Sequence, residues 1–179
     1  GTLIHRMLSI PDPGKIRVAM GLPEEAPEKP PRGFRPDKEG LKDFLTAERE
    51  RLVSRGVFTR EEADLIPLGR LTDFYPSSLG KRMLCARALR REWNFNLVVP
   101  REEPMLLQGV IDCAFLAGDE WVLVDYKTDN VKDEAAFIEE YRPQLAWYAE
   151  AVETLTGQKV KEKILYAIAK GKVCRVTDN

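Results

Sequence analysis

Residues 109–129, GVIDCAFLAGDEWVLVDYKTD, constrain the fold of this chain more than any other stretch, because they set Asp112, Asp125 and Lys127 into otherwise apolar sequence. Residues 110–116 and 121–127 are rich in Val, Ile, Leu and aromatics, and the Gly118-Asp119 pair between them favours a tight hairpin turn. That turn fixes the register. Leu116 then faces Trp121 and Asp112 faces Asp125, and Lys127, two residues further on, projects from the same face. Like charges directly opposite destabilise a sheet, so something positive belongs between the two acids. A hard divalent cation does this naturally, since Mg²⁺ takes one or two protein carboxylates and fills its remaining positions with water and phosphate oxygens. The plainer alternative is an exposed charged face on which Lys127 neutralises both acids.

At 179 residues the chain has the length of one domain, or of a domain with an extension, and can bury a proper core. Its net charge of −1 means that any nucleic-acid contact must use a local basic patch. Cys85, Cys113 and Cys174 are odd in number and contain no CxxC pair, which argues against a zinc site, an iron–sulfur cluster or a disulfide framework. With no apolar run of membrane-spanning length and no signal-peptide pattern at its start, the chain is expected to be cytoplasmic. No GxxxxGK[ST] loop occurs, so ATP hydrolysis of the P-loop kind is excluded for this sequence.

Residues 1–10 place Leu3, Ile4, Met7 and Leu8 at helical spacing, and a helix that begins so abruptly reads as part of something longer. His5, the only histidine, reads there as a packing or surface residue. Residues 11–36 hold seven of the twelve prolines and are expected as an extended loop with little core. Helices are expected over residues 37–55, with Leu41, Phe44, Leu45, Leu52 and Val53 buried, and from the Thr59 capping box to Leu65, with a further turn over 68–75. Another runs from Ser77 or Ser78 through Arg91. Its Lys81, Arg82, Arg87, Arg90 and Arg91 form the most basic local cluster, either a solvated face or a phosphate-contacting surface.

A strand is expected over 93–99, just after Glu92, whose carboxylate then stands at the edge of the same sheet. Helical sequence from Asp133 or Glu134 to Leu155 contains Pro143, which predicts a break or kink near Tyr141–Pro143. Gln144 and Tyr148, four apart, share a helix face. Their polar tips either reach towards the hairpin or flank ordinary packing. Residues 160–169 and 172–176 form a last strand pair. The order of elements indicates an α/β sandwich with a mixed sheet.

The run from Gly109 to Asp112, the Val124-Asp125-Tyr126-Lys127-Thr128-Asp129 series and Tyr141-x-x-Gln144-Leu145-x-x-Tyr148 together resemble the RecB-type branch of the PD-(D/E)XK nuclease superfamily. Gly1 to His5 resembles that branch's GxxxH motif. Residues 57–63, 79–84 and 91–95 resemble blocks in the AddA-type nuclease domains of bacterial AddAB helicase–nucleases. The four cluster-binding cysteines of AddB-type enzymes are missing, which favours the AddA-like or RecB-like side. The chain reads Asp125-Tyr126-Lys127, whereas many members carry Glu at the second position; here the resemblance implies that Tyr126 supplies a backbone carbonyl instead.

The resemblance implies a restriction-endonuclease-like core, with a mixed central β-sheet flanked by helices, over the whole chain as a single nuclease domain. It implies metal ligation by His5, Asp112, Asp125 and the backbone carbonyl of Tyr126, with Mg²⁺ (or Mn²⁺) as the ion and Lys127 as the catalytic lysine. Gln144 and Tyr148 are implied to contact the DNA strand or position its phosphate, and Glu92 to assist near the metal. The implied activity is a Mg²⁺-dependent deoxyribonuclease, an exonuclease that processes double-strand breaks for recombination. The implied partners are DNA, single-stranded at the site, and an AddB-like protein. Two other readings remain open at this level: a non-catalytic DNA-binding module that kept the fold, and a metal-dependent phosphatase acting on small molecules.

Overall fold

The computed structural model describes residues 2–178, so Gly1 of the GxxxH pattern lies outside the described residues. The chain divides into two compact units, Gly1–Ala86 and Arg87–Asn179.

The first unit is helical. Helix α1, Leu3–Ser9, is capped by Thr2, whose hydroxyl accepts from the His5 amide, and buries Ile4, Met7 and Leu8. Helix α2, Pro13–Met20, falls inside the 11–36 stretch expected to be a loop. Asp12 caps it through a bond from the Lys15 amide (2.9 Å), Pro13 occupies the first turn, and Gly21 ends it at φ 91°. Proline at a helix start costs nothing, because the missing N–H would have no intrahelical partner there. Ile16 and Met20 are fully buried, so this segment carries core after all.

Helix α3, Lys38–Ser54, starts at the Asp37 cap and buries Leu41, Leu45, Glu48 and Leu52 in one stripe. Glu48 takes the place expected of an apolar neighbour and is held by Arg51 through bonds of 2.9 and 2.5 Å. Phe44 and Val53 are only half-buried. Helix α4, Arg60–Asp64, carries the expected reciprocal Thr59–Glu62 capping box, and α5 spans Leu68–Phe74. Helix α6, Ser78–Cys85, is capped by Ser77 and stops at Ala86, whose backbone is extended (ψ 144°). The helix expected to reach Arg91 therefore ends early.

The second unit begins where that helix was expected to continue. Strand β1, Leu89–Val99, pairs antiparallel with β2, Met105–Ala117, and β2 pairs antiparallel with β3, Glu120–Lys127. Leu89, Arg90 and Arg91 lie opposite Phe115, Ala114 and Cys113, and these ladder bonds take the segment from the helix its composition favours. The basic residues therefore fall on different elements, Lys81 and Arg82 on α6 and Arg90 and Arg91 on β1. Helix α7, Glu134–Thr156, then crosses to β4, Val160–Ala167, which runs parallel to β3, and β5, Lys172–Arg175, closes the edge antiparallel to β4. The sheet order is β1-β2-β3-β4-β5. This mixed sheet with α7 packed on it is the α/β, restriction-endonuclease-like class expected.

The hairpin register is also as expected. Leu116 faces Trp121, Cys113 faces Val124, and Gly118 turns the chain at φ 66°. Helix α7 lies on one face of the sheet, over Phe95, Leu107, Ile111, Leu116, Trp121 and Leu123 towards β1–β3 and over Leu165, Ala167 and Cys174 towards β4–β5. The helix runs through Pro143 without the expected break. Phe137 before the proline and Leu145 after it belong to the same buried cluster. Burying two such side chains is worth about 3–6 kcal/mol, enough to offset the roughly 3 kcal/mol cost of an internal proline.

Candidate active site

Side chains alternate along a strand, yet Ile111 and Ala114 both lie in the cluster under α7. The alternation changes phase between them, at Asp112. On the neighbouring strand the residue in register is Glu92, which leaves the ladder at φ 48°, while Arg91 and Trp93 on either side stay paired. A non-glycine residue in this left-handed region is costly and persists where the surroundings enforce it. Counted back from Leu116 and Ala114, Asp112 keeps the face of Asp125, and the irregularity lets Ile111 and Leu107 join the cluster under α7 as well. Glu92 itself is exposed.

The β2–β3 ladder stops at Cys113–Val124, one pair short of the two acids. There the Asp112 carboxylate replaces the ladder partner and accepts the Tyr126 N–H at 2.9 Å. Asp125 is 5 % exposed, one of two buried charged or polar side chains among the described residues. Lys127 Nζ approaches its buried Oδ2 to 2.8 Å. Burial, and next the charge of Asp112, push the Asp125 carboxyl up to about 6. The site is short of positive charge.

From the helix side, Lys127 Nζ donates to Gln144 Oε1 (3.1 Å), and Gln144 Nε2 donates to the Tyr148 hydroxyl (3.1 Å). Tyr148 packs edge-on against Phe95, with ring centroids 5.7 Å apart, and its hydroxyl is pushed up to about 12 by burial, then by the charges of Asp125 and Asp112. Gly109 admits this packing, since a Cβ there would stand 3.0 Å from the Phe95 ring and 3.5 Å from Tyr148. The second unit thus brings together Asp112, Asp125, Lys127, Gln144 and Tyr148, with Tyr126 on the strand between the last acid and the lysine. His5 stands in the first unit on α1, where its Nδ1 meets the Thr2 hydroxyl.

One residue of the cluster was given no role from the sequence. Tyr141 presents its ring to Lys127 Nζ at 3.9 Å from the centroid, and its hydroxyl stands 3.5 Å from Asp129. The available signal was its position three residues before Gln144 on the same helix face.

Among the described residues no group of three or more His, Cys, Asp and Glu stands ready to hold an ion. The two carboxylates make an oxygen set that is incomplete alone, as suits a hard cation that keeps water and substrate oxygens. The buried Oδ2 of Asp125, which makes no hydrogen bond and meets the Lys127 ammonium at 2.8 Å, fits such an ion.

A family model described as the PD-(D/E)XK nuclease superfamily matches residues 1–176. The chain belongs to this superfamily. PD-(D/E)XK nucleases generally depend on a divalent metal, in keeping with the oxygen donors of the hairpin. The chain is similar to proteins named as the A-type subunits of ATP-dependent helicase/nucleases. The relative from Acetivibrio thermocellus is 37% identical over 147 residues, covering 74% of this chain and 12% of its own length. Those from Alkaliphilus metalliredigens and Desulforudis audaxviator are 39% and 40% identical over 140 and 142 residues, covering 71% and 72% of this chain and 12% of each relative. This PD-(D/E)XK chain therefore spans about an eighth of the length of these curated relatives. No helix among the described residues is long and apolar enough to cross a membrane.

Proposed function

We propose that this chain is a single nuclease domain, part of a larger cytoplasmic helicase–nuclease polypeptide with an AddB-like partner, and that it hydrolyses phosphodiester bonds of DNA during double-strand-break processing for recombination. Mg²⁺ is the proposed ion, held by Asp112, Asp125, the Tyr126 carbonyl and His5, and exonucleolytic cutting of a single strand is the proposed mode. The observation that carries the reading is the buried Asp125 facing Asp112 with Lys127 at 2.8 Å, in a chain of this superfamily.

When bound, a divalent cation would supply Lewis acidity to the scissile phosphate and lower the pKa of a coordinated water. The chain's own residues do the rest. Asp112 is oriented by the Tyr126 N–H, which its Oδ2 accepts at 2.9 Å. The Lys127 ammonium orients the attacking water and offsets negative charge as it builds on the phosphate. Gln144 fixes Lys127 through its carbonyl oxygen and Tyr148 through its amide, and the two side chains position the phosphate.

Incubation with single- and double-stranded DNA, with Mg²⁺ or with chelator, tests this directly. Metal-dependent cleavage should be lost in Asp125→Ala, with circular dichroism unchanged. Undiminished cleavage by that variant sinks the assignment. Binding without cleavage by the unsubstituted chain supports a DNA-binding module instead.

A further inference from the structure

We infer that Tyr141 is a positioning residue whose ring holds the Lys127 ammonium in place. Lys127 is mostly buried, with 16% of its side chain exposed, and its Nζ meets Asp125 Oδ2 at 2.8 Å, Gln144 Oε1 at 3.1 Å and the centroid of the Tyr141 ring at 3.9 Å. Tyr141 and Gln144 are three residues apart on α7, so one turn of helix supplies both a ring face and a carbonyl oxygen to the same ammonium.

The ring is itself oriented from two sides. It packs edge-on against Phe137 with centroids 5.3 Å apart, and its hydroxyl faces Asp129, two residues beyond Lys127 on the chain. A cation over an aromatic face is attracted by the ring quadrupole, most strongly where water is excluded.

These contacts differ in kind. The Asp125 carboxylate pulls Lys127 towards the acids, and in the proposed reaction that carboxylate has another charge to hold. The ring and the Gln144 oxygen are the partners Lys127 then retains. A neutral ring holds the ammonium without withdrawing its proton and without competing as a carboxylate would. This consequence for catalysis rests on the nuclease reading, whereas the ring contact itself does not.

Two measurements on the full chain decide it. In proton NMR, shielding by the ring should place the Lys127 Hε resonances upfield of those of the other lysines, and Tyr141→Leu should return them. Absence of that shift overturns the inference whether or not the protein cuts DNA. In kinetics, Tyr141→Phe keeps the ring and serves as the reference for a series in which phenylalanines of increasing fluorination replace residue 141. Shape is nearly constant through the series while the attraction for a cation falls. The expected result is a stepwise fall in kcat, about 5- to 30-fold at the most electron-poor ring, with KM for DNA unchanged. A flat series, or an inactive Tyr141→Phe variant, which would assign the role to the hydroxyl, overturns it. Failure of the nuclease reading is separately visible, because the unsubstituted chain would then cleave no DNA while the Lys127 shift still reports on the ring.

Discussion

Replacing Asp125 with Asn should make the metal-free protein more stable above neutral pH. Asp125 is 5 % exposed and its carboxyl is raised from 3.8 to about 6, chiefly by burial and next by the charge of Asp112. The folded state therefore binds this proton more tightly than the unfolded chain does. Its contribution is fully present below about pH 4, falls as pH rises through about 6, and is gone above that. A shift of about two units corresponds to roughly 3 kcal/mol as an upper figure. Asn resembles the protonated carboxyl, so the variant should match the unsubstituted protein near pH 4 and exceed it by up to about 3 kcal/mol at pH 8.

Urea titrations in chelator at pH 4, 6 and 8 would measure this difference. Adding Mg²⁺ or Mn²⁺ should reverse the order, because only the unsubstituted protein gains the stabilisation that ligand binding to the folded state provides. A variant less stable than the unsubstituted protein at pH 8 in chelator, or a difference that does not change between pH 4 and 8, refutes the reasoning.

Gly109→Ala puts a methyl group 3.0 Å from the Phe95 ring, which is packed edge-on against Tyr148, so stability should fall by about 1–3 kcal/mol in urea titration. The Tyr148 to Gln144 bond should loosen with it, so DNA cleavage should slow as well. His5→Ala should weaken metal affinity in calorimetric titrations with Mg²⁺ or Mn²⁺, and an unchanged affinity removes His5 from the ligand set.

The hairpin was legible because every cue for it is local. Gly118-Asp119 fixes the turn, and the apolar residues on either side fix the register that brings Asp112 to Asp125. Gln144 and Tyr148 were legible as one helix face, and the structure turns that face to Lys127. What the sequence hid depends on partners far along the chain. Leu89–Arg91 reads as helix and becomes strand through pairing with Cys113–Phe115, more than twenty positions on. The change of phase at Asp112 is tied to the backbone of Glu92 on the adjacent strand, and no residue in either strand announces it. Pro143 carries a strong local signal for a break, which loses to burial of Phe137 and Leu145 on the same side of the sheet. Helix α2 is hidden for a different reason: its Asp12-Pro13 start signal lies in a stretch whose proline content as a whole favours a loop.

The crossover through α7 also sets an order of assembly. Asp112 and Asp125 come together when a local hairpin closes, and short loops close early in folding. The clasp on Lys127 needs α7 docked on the sheet, and α7 is the connection that lets β4 pair parallel to β3, a non-local step that is intrinsically slow. In that order the acids meet before the Gln144 and Tyr141 contacts to Lys127 can form. The arrangement proposed to cut DNA is completed only when the fold is.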